Sequence, residues 1–231
     1  MKRKLVLFDI DGTILLSAGA GRRAITTALG EAIGDHSAFE RIRFDGKTDP
    51  QIVSEMLSAA GHEPPHPEER VRALCERYVS LLEVELRTAT GMRVMPGIAP
   101  LLDRLEAEPG VVLGLLTGNL ARGAELKLRA AGVDPARFLV GAYGSDAAHR
   151  PELPAIAARR AQPLFGRVPT GTEVVIIGDT PADIACGAGI GARAVAVATG
   201  SYTVAELAAC GPHAVFEDLA DTDRVLDVIL V

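Results

Sequence analysis

The sequence predicts an α/β fold: a doubly wound, Rossmann-like parallel sheet carrying an inserted α-helical segment. Three observations lead there. Four almost wholly apolar runs, Leu5–Phe8, Val111–Leu116, Val174–Ile177 and Ala194–Val197, lack the alternation of a sheet with one wet face, so both faces should be covered. Helical patterns at Pro100–Glu106, Ala121–Ala131 and Ala155–Ala161 alternate with them, the rhythm of strand–helix–strand crossovers. From about Ser17 to Gly91 that rhythm stops, and only amphipathic helical stretches follow, around Ala24–Ile33, Gln51–Ala60 and Glu68–Leu86.

The first strand follows the basic start Met1-Lys2-Arg3-Lys4. That start has the outline of a secretory leader, but the apolar run stops at two aspartates which such a region does not tolerate. A cytoplasmic protein with a buried first strand is expected. The helical insertion is bounded by Ser17-Ala18-Gly19-Ala20-Gly21 and by Thr90-Gly91 through Pro96-Gly97, compositions suited to hinges. This divides the chain into a core of residues 1–16 and 92–231 and a cap of residues 17–91. Inside the cap, Phe44-Asp45-Gly46-Lys47-Thr48-Asp49-Pro50-Gln51 reads as a turn into a helix. Either Thr48 and Gln51 form a capping box, or Asp49 caps with Pro50 at the first position; both place Lys47 on an exposed loop. The prolines of His62-Glu63-Pro64-Pro65-His66-Pro67 deny its histidines a helical metal-binding geometry, and a linker is expected.

A chain of 231 residues supports one or two domains. No apolar run approaches a membrane span. A net charge of −6, with no basic cluster beyond the first four residues, argues against nucleic acid as an obligatory partner. Cys75, Cys186 and Cys210 are odd in number and widely spaced, which gives neither a disulfide framework nor a zinc pattern. They read as reduced packing residues.

The chemistry gathers where strands end. Asp9 and Asp11 stand one residue apart before Gly12; an isolated Asp-Gly would be only a turn, but this pair follows a buried strand. Thr117-Gly118-Asn119 follows a second strand, and Gly178-Asp179-Thr180-Pro181-Ala182-Asp183 a third. Asn119 can also cap the helix beginning near Leu120, and Thr180 with Asp183 satisfies a capping box; capping and chemistry are compatible. Asp9, Asp11, Asp179 and Asp183, brought together at the carboxyl ends of neighbouring strands, would repel one another without a cation. Hard oxygen ligands with room for water and phosphate select Mg²⁺. Thr117, Gly118 and Asn119 at a helix start offer free N–H groups to a phosphate.

Motif by motif, the chain resembles the haloacid dehalogenase-like hydrolase superfamily. Asp9-Ile10-Asp11-Gly12-Thr13 matches its first signature, Leu115–Asn119 its second and Ile177–Asp183 its acidic fourth. The resemblance spans essentially the whole chain and implies a Mg²⁺-dependent phosphatase. It makes Asp9 the nucleophile and a carboxylate ligand, Asp11 the general acid–base and a carbonyl ligand, and Asp179 a further carboxylate ligand, with Asp183 supporting the shell. The presence of Asp11 points away from dehalogenases and carbon–phosphorus lyases. The family's third motif is usually a lysine, and none lies between Lys127 and the fourth motif. Arg150 before Pro151 is the natural replacement, ahead of Arg159 and Arg160 on a helix; His149 beside it reads as solvated. The insertion matches the small cap of the subgroup resembling phosphoglycolate phosphatase and β-phosphoglucomutase. Gly46 and Lys47 then occupy the specificity loop, where Lys47 either binds an anionic or hydroxylated part of the substrate or is simply solvated; Arg22 and Arg23 stay unassigned. The expected partner is a small phosphorylated metabolite, with neither nucleic acid nor membrane, and the chain a monomer or homodimer. A phosphomutase and a non-catalytic binding protein are the alternatives.

Overall fold

The computed structural model describes residues 3–34 and 39–231; Met1 and Lys2 of the basic start lie outside them. Six strands form one parallel sheet: β1 (Lys4–Phe8), β4 (Val111–Thr117), β5 (Val140–Tyr143), β6 (Val174–Gly178), β7 (Arg193–Val197) and β8 (Ala214–Phe216), in the order β5-β4-β1-β6-β7-β8. The four apolar runs are β1, β4, β6 and β7. The short edge strands β5 and β8 were not among the runs read from sequence.

Alternation along β1 shows why the sheet is covered on both faces. Val6 and Phe8 pack with Leu101 and Leu105 of α4 (Ile98–Ala107), Leu128 of α5 (Ala121–Ala130) and Val225 of α9 (Thr222–Leu230). Leu5 and Leu7 point the other way, to Leu153 and Ala157 of α6 (Leu153–Phe165) and to Cys186 of α7 (Pro181–Cys186). Every residue of β1 is buried, so a polar substitution in its middle would bury an unsatisfied group whichever face it met.

The segment between β1 and β4 holds α1 (Ala20–Ile33), α2 (Asp49–Ala59) and α3 (Glu68–Thr88), with the His62–Pro67 stretch as the α2–α3 connection. A separate apolar cluster ties them together, including Ile25, Leu29, Val53, Met56, Tyr78 and Leu82. At its base the chain crosses to the sheet twice. The two crossings pair as a short antiparallel ribbon, β2 (Leu15–Leu16) with β3 (Arg93–Val94). Cys75 and Cys186 are buried free thiols as expected, whereas Cys210 is exposed because it follows a short surface helix, α8 (Val204–Ala209). Among the described residues no helix is long and apolar enough to cross a membrane.

Candidate active site

The three strands that carry the motifs, β4, β1 and β6, are neighbours at the centre of the sheet. Their carboxyl ends deliver Thr117, Asp9 and Asp179 to one place, the amide of Asp9 donating to Ile177 O at 2.9 Å. Asp9, Asp179 and Asp183 are only 6%, 4% and 1% exposed, and each offers an oxygen within 4.8 Å of the others. Burial drives the Asp9 carboxyl up to about 6; Arg150 opposes this, while Asp183 and Asp11 add to it. Asp179 is held well above the ordinary carboxylate range, first by burial and then by Asp183 and Asp9. Three buried acceptor-only groups with no room to separate fit a metal site, since a hard cation removes the repulsion and the desolvation cost together.

Local chain geometry enforces this crowding. Gly12 sits at φ 85°, and a Cβ there would run into the Asp179 carboxylate, so only glycine lets the first loop pass so close. Thr13 Oγ1 donates to Asp179 Oδ1 at 3.0 Å. Thr180 caps α7, and Asp183 Oδ2 accepts from both Thr180 N (3.0 Å) and Thr180 Oγ1 (2.6 Å). The capping box foreseen in the sequence is therefore present within the acidic cluster.

Arg150 is 4% exposed and enters from the short turn Arg150–Glu152 before α6. Its Nη2 donates to Asp183 Oδ1 and to Leu116 O (3.3 Å), and lies 3.2 Å from Asp9 Oδ1. A buried guanidinium between two carboxylates satisfies both. Its Nε is buried with no hydrogen-bond partner among the described residues. The neighbours weighed against it lie elsewhere: His149 is exposed, and Arg160 pairs with Asp146 on the surface.

On the other side of Asp9, a polar network runs from Thr117 to Asp11. Asn119 Nδ2 donates to Thr117 Oγ1 and to Asp11 Oδ2, both at 2.8 Å, and the Asn119 amide N–H also reaches Thr117 Oγ1 at 3.3 Å. Lys127, from α5, places Nζ 2.6 Å from both Asp11 Oδ2 and Asn119 Oδ1. Lys127 is 4% exposed, and nothing in the reading of the sequence singled it out. The signal was its spacing: Gly123, Ala124, Lys127 and Leu128 make one buried helical stripe, so a lysine stood where an apolar residue belongs.

The helical segment reaches this network through the loop before α2. Asp49 N donates to Gly118 O at 2.8 Å, while Asp49 Oδ2 accepts from Leu120 N at 2.8 Å. Thr48 Oγ1 donates to Ala148 O at 2.6 Å and caps α2 by accepting from Gln51 N. Of the two capping schemes, Thr48 is thus the cap, although the Gln51 side chain turns to Glu55 instead of closing the box. Lys47 corrects the expectation of an exposed loop lysine: its loop is pressed onto the sheet, its ammonium pairs with Glu55, and its side chain is 27% exposed. Gly46 and Lys47 line a cavity of about 310 Å³ together with Asp9, Asp11, Thr117 and Arg150. Arg22 also lines it, stacked over the Phe44 ring at 3.9 Å, whereas Arg23 pairs with Glu85 at the surface.

The model of the haloacid dehalogenase-like hydrolases matches residues 3–191. The chain belongs to that family. As a haloacid dehalogenase-like hydrolase it has its fold in common with several solved proteins. A hydrolase from Pseudomonas syringae is 23% identical, with 97% of this chain and 98% of that one covered and a TM-score of 0.71. A predicted phosphoglycolate phosphatase from Haemophilus somnus is 22% identical, with 97% and 98% covered and a TM-score of 0.69. CbbY from Rhodobacter sphaeroides, in complex with xylulose-(1,5)bisphosphate, is 24% identical, with 95% and 96% covered and a TM-score of 0.70. No curated protein matches the sequence. At these identities the likeness is one of fold, and the chemistry of this haloacid dehalogenase-like hydrolase rests on its own side chains.

Proposed function

We propose that this chain is a cytoplasmic, Mg²⁺-dependent phosphatase that hydrolyses a small phosphate monoester through an aspartyl-phosphate on Asp9. The observation that carries this reading is the buried cluster of Asp9, Asp179 and Asp183, each within reach of one cation, with Arg150 and Thr117 beside it in the same cavity. Asp9 and Asp179 would hold Mg²⁺ by their carboxylates and Asp11 by its carbonyl, with Asp183 behind them. Both Asp183 oxygens are already engaged, by Thr180 and by Arg150, which suits a supporting role. The ion, when bound, neutralises charge on the carboxylates and on the phosphate.

Asp9 attacks phosphorus as the ester P–O bond breaks, and Asp11 gives its proton to the departing oxygen. Water then attacks the aspartyl-phosphate, Asp11 takes a proton from it, and Asp9 returns as the free carboxylate. Such acid–base help is worth roughly 10²–10⁴-fold. Thr117, Gly118 and Asn119 form the phosphate-binding turn. Two Asn119 donors occupy the Thr117 oxygen, which leaves the hydroxyl proton to point at a phosphate oxygen. Arg150 adds a fixed positive charge and its unpartnered Nε–H. Residues 17–91 act as the cap over the core of residues 1–16 and 92–231, and Gly46 and Lys47 meet the part of the substrate beyond the phosphate.

The test is phosphate release from p-nitrophenyl phosphate and from a panel of phosphoglycolate, sugar phosphates and nucleotides. Release should require Mg²⁺ and vanish in Asp9→Asn. Metal-independent release that survives the substitution would overturn the mechanism, and a rearranged sugar phosphate in place of free phosphate would mark a mutase.

A further inference from the structure

We propose that Lys127 is a positioning residue for proton transfer, fixing Asp11 so that Oδ1 is the oxygen that exchanges the proton with the substrate. The inference rests on the phosphatase reading above and concerns a residue that no motif includes. Its basis is the hydrogen-bond pattern. Lys127 Nζ can only donate and a carboxylate can only accept. The Asn119 amide between them is therefore locked, Oδ1 toward Lys127 and Nδ2 toward Asp11. Asp11 Oδ2 takes short bonds from Lys127 (2.6 Å) and Asn119 (2.8 Å). Among the described residues, Oδ1 has only the Ser17 hydroxyl, at 3.4 Å. One oxygen is thus tied to the protein and the other is left for the reaction.

The strut reaches Asp11 from beneath the helical segment. A Cβ on Gly21 of α1 would lie 3.3 Å from Lys127 Nζ and 3.7 Å from the hydroxyl of Tyr78 on α3. The ammonium therefore sits between α5 of the sheet domain and the first and third helices above it, at the wall of the active-site cavity. In the first step the proton leaves Asp11 Oδ1 for the ester oxygen as the P–O bond breaks. In the second, a water proton returns to Oδ1 as the water oxygen bonds to phosphorus and the Asp9–phosphorus bond breaks.

The prediction is a change in leaving-group dependence. Phenolate needs its proton far more than p-nitrophenolate does, and the two esters are nearly the same shape. With Mg²⁺, wild type and Lys127→Met are compared by kcat/KM on phenyl phosphate and p-nitrophenyl phosphate. The ratio of the two values is independent of how much of the variant is folded. It should fall about tenfold in Lys127→Met, a fraction of a full general-acid effect, with the loss in kcat. Lys127→Gln, which retains a neutral amide donor group, should fall between. An unchanged ratio with both esters slowed equally overturns the inference alone, since wild-type turnover would still stand. A wild type that releases no phosphate from either ester overturns the functional reading and the inference with it.

Discussion

At the scale of single residues, the site depends on charges that the fold keeps dry. Asp49 is 7% exposed and its carboxyl is pushed up to about 6, chiefly by burial, which outweighs Lys127 and the Leu120 amide. The folded pKa lies above the ordinary 3.8, so the folded chain takes up this proton before the unfolded one. Stability from this group is therefore present near pH 4 and is lost as pH rises to about 6. A shift of about two units corresponds to about 3 kcal/mol. Asp49→Asn, which can still accept from Leu120 N–H, should flatten the pH dependence of unfolding between about pH 4 and 6 by an amount of that order. Urea titrations across that window check it, and parallel wild-type and variant curves would count against it. Sequence made the aspartates and Arg150 legible because they follow apolar strands or stand before a proline. Asp49 read only as a capping residue and Lys127 not at all, because their partners lie far away in the chain: Leu120 for one, Asp11 for the other.

At the scale of elements, the loop before α2 decides how the helices meet the sheet. A Cβ on Gly118 would collide with the carbonyl oxygen of Lys47 and lie 3.0 Å from Thr48 Cα. The obstacle is backbone and cannot rotate away. Gly118→Ala should therefore displace the Lys47–Asp49 loop, break the Asp49–Leu120 bond and lower kcat/KM by one to two orders of magnitude, about 1–3 kcal/mol. Mg²⁺ binding to the protein, read by calorimetry, should change little, because Asp9 and Asp179 stand at the ends of β1 and β6 and not on the displaced loop. Loss of both together would refute this separation. The central strands and the insertion helices were readable because their apolar patterns run for several residues. β5 and β8 are edge strands; β5 is short and only alternately buried, which weakens any run. The two-residue strands β2 and β3 are too short to carry a period at all, and pairing across some eighty residues leaves no local trace.

At the scale of the whole molecule, a cation held by the Asp9 and Asp179 carboxylates must stabilise the fold, since the unfolded chain cannot assemble them. Mg²⁺ at about a hundredfold over its dissociation constant should add about 3 kcal/mol, or roughly 5–10 °C in Tm for a chain of this size. Asp179→Asn should abolish most of that rise, and a Tm insensitive to Mg²⁺ in the wild type would count against the metal site. The sheet order adds something about motion. β1 lies between β4 and β6, so Asp9 is attached to a strand with a bonded neighbour on either side and two further strands on one flank. Fraying of the sheet should begin at the edge strands β5 and β8, and the amide protons of β1 should be among the last to exchange with solvent, which hydrogen-exchange measurements check. Asp9 is thereby anchored to interior backbone of the sheet, while Lys47 and Asp49, which line the same cavity, are held to it by a handful of loop bonds, those of Asp49 to Gly118 and Leu120 among them.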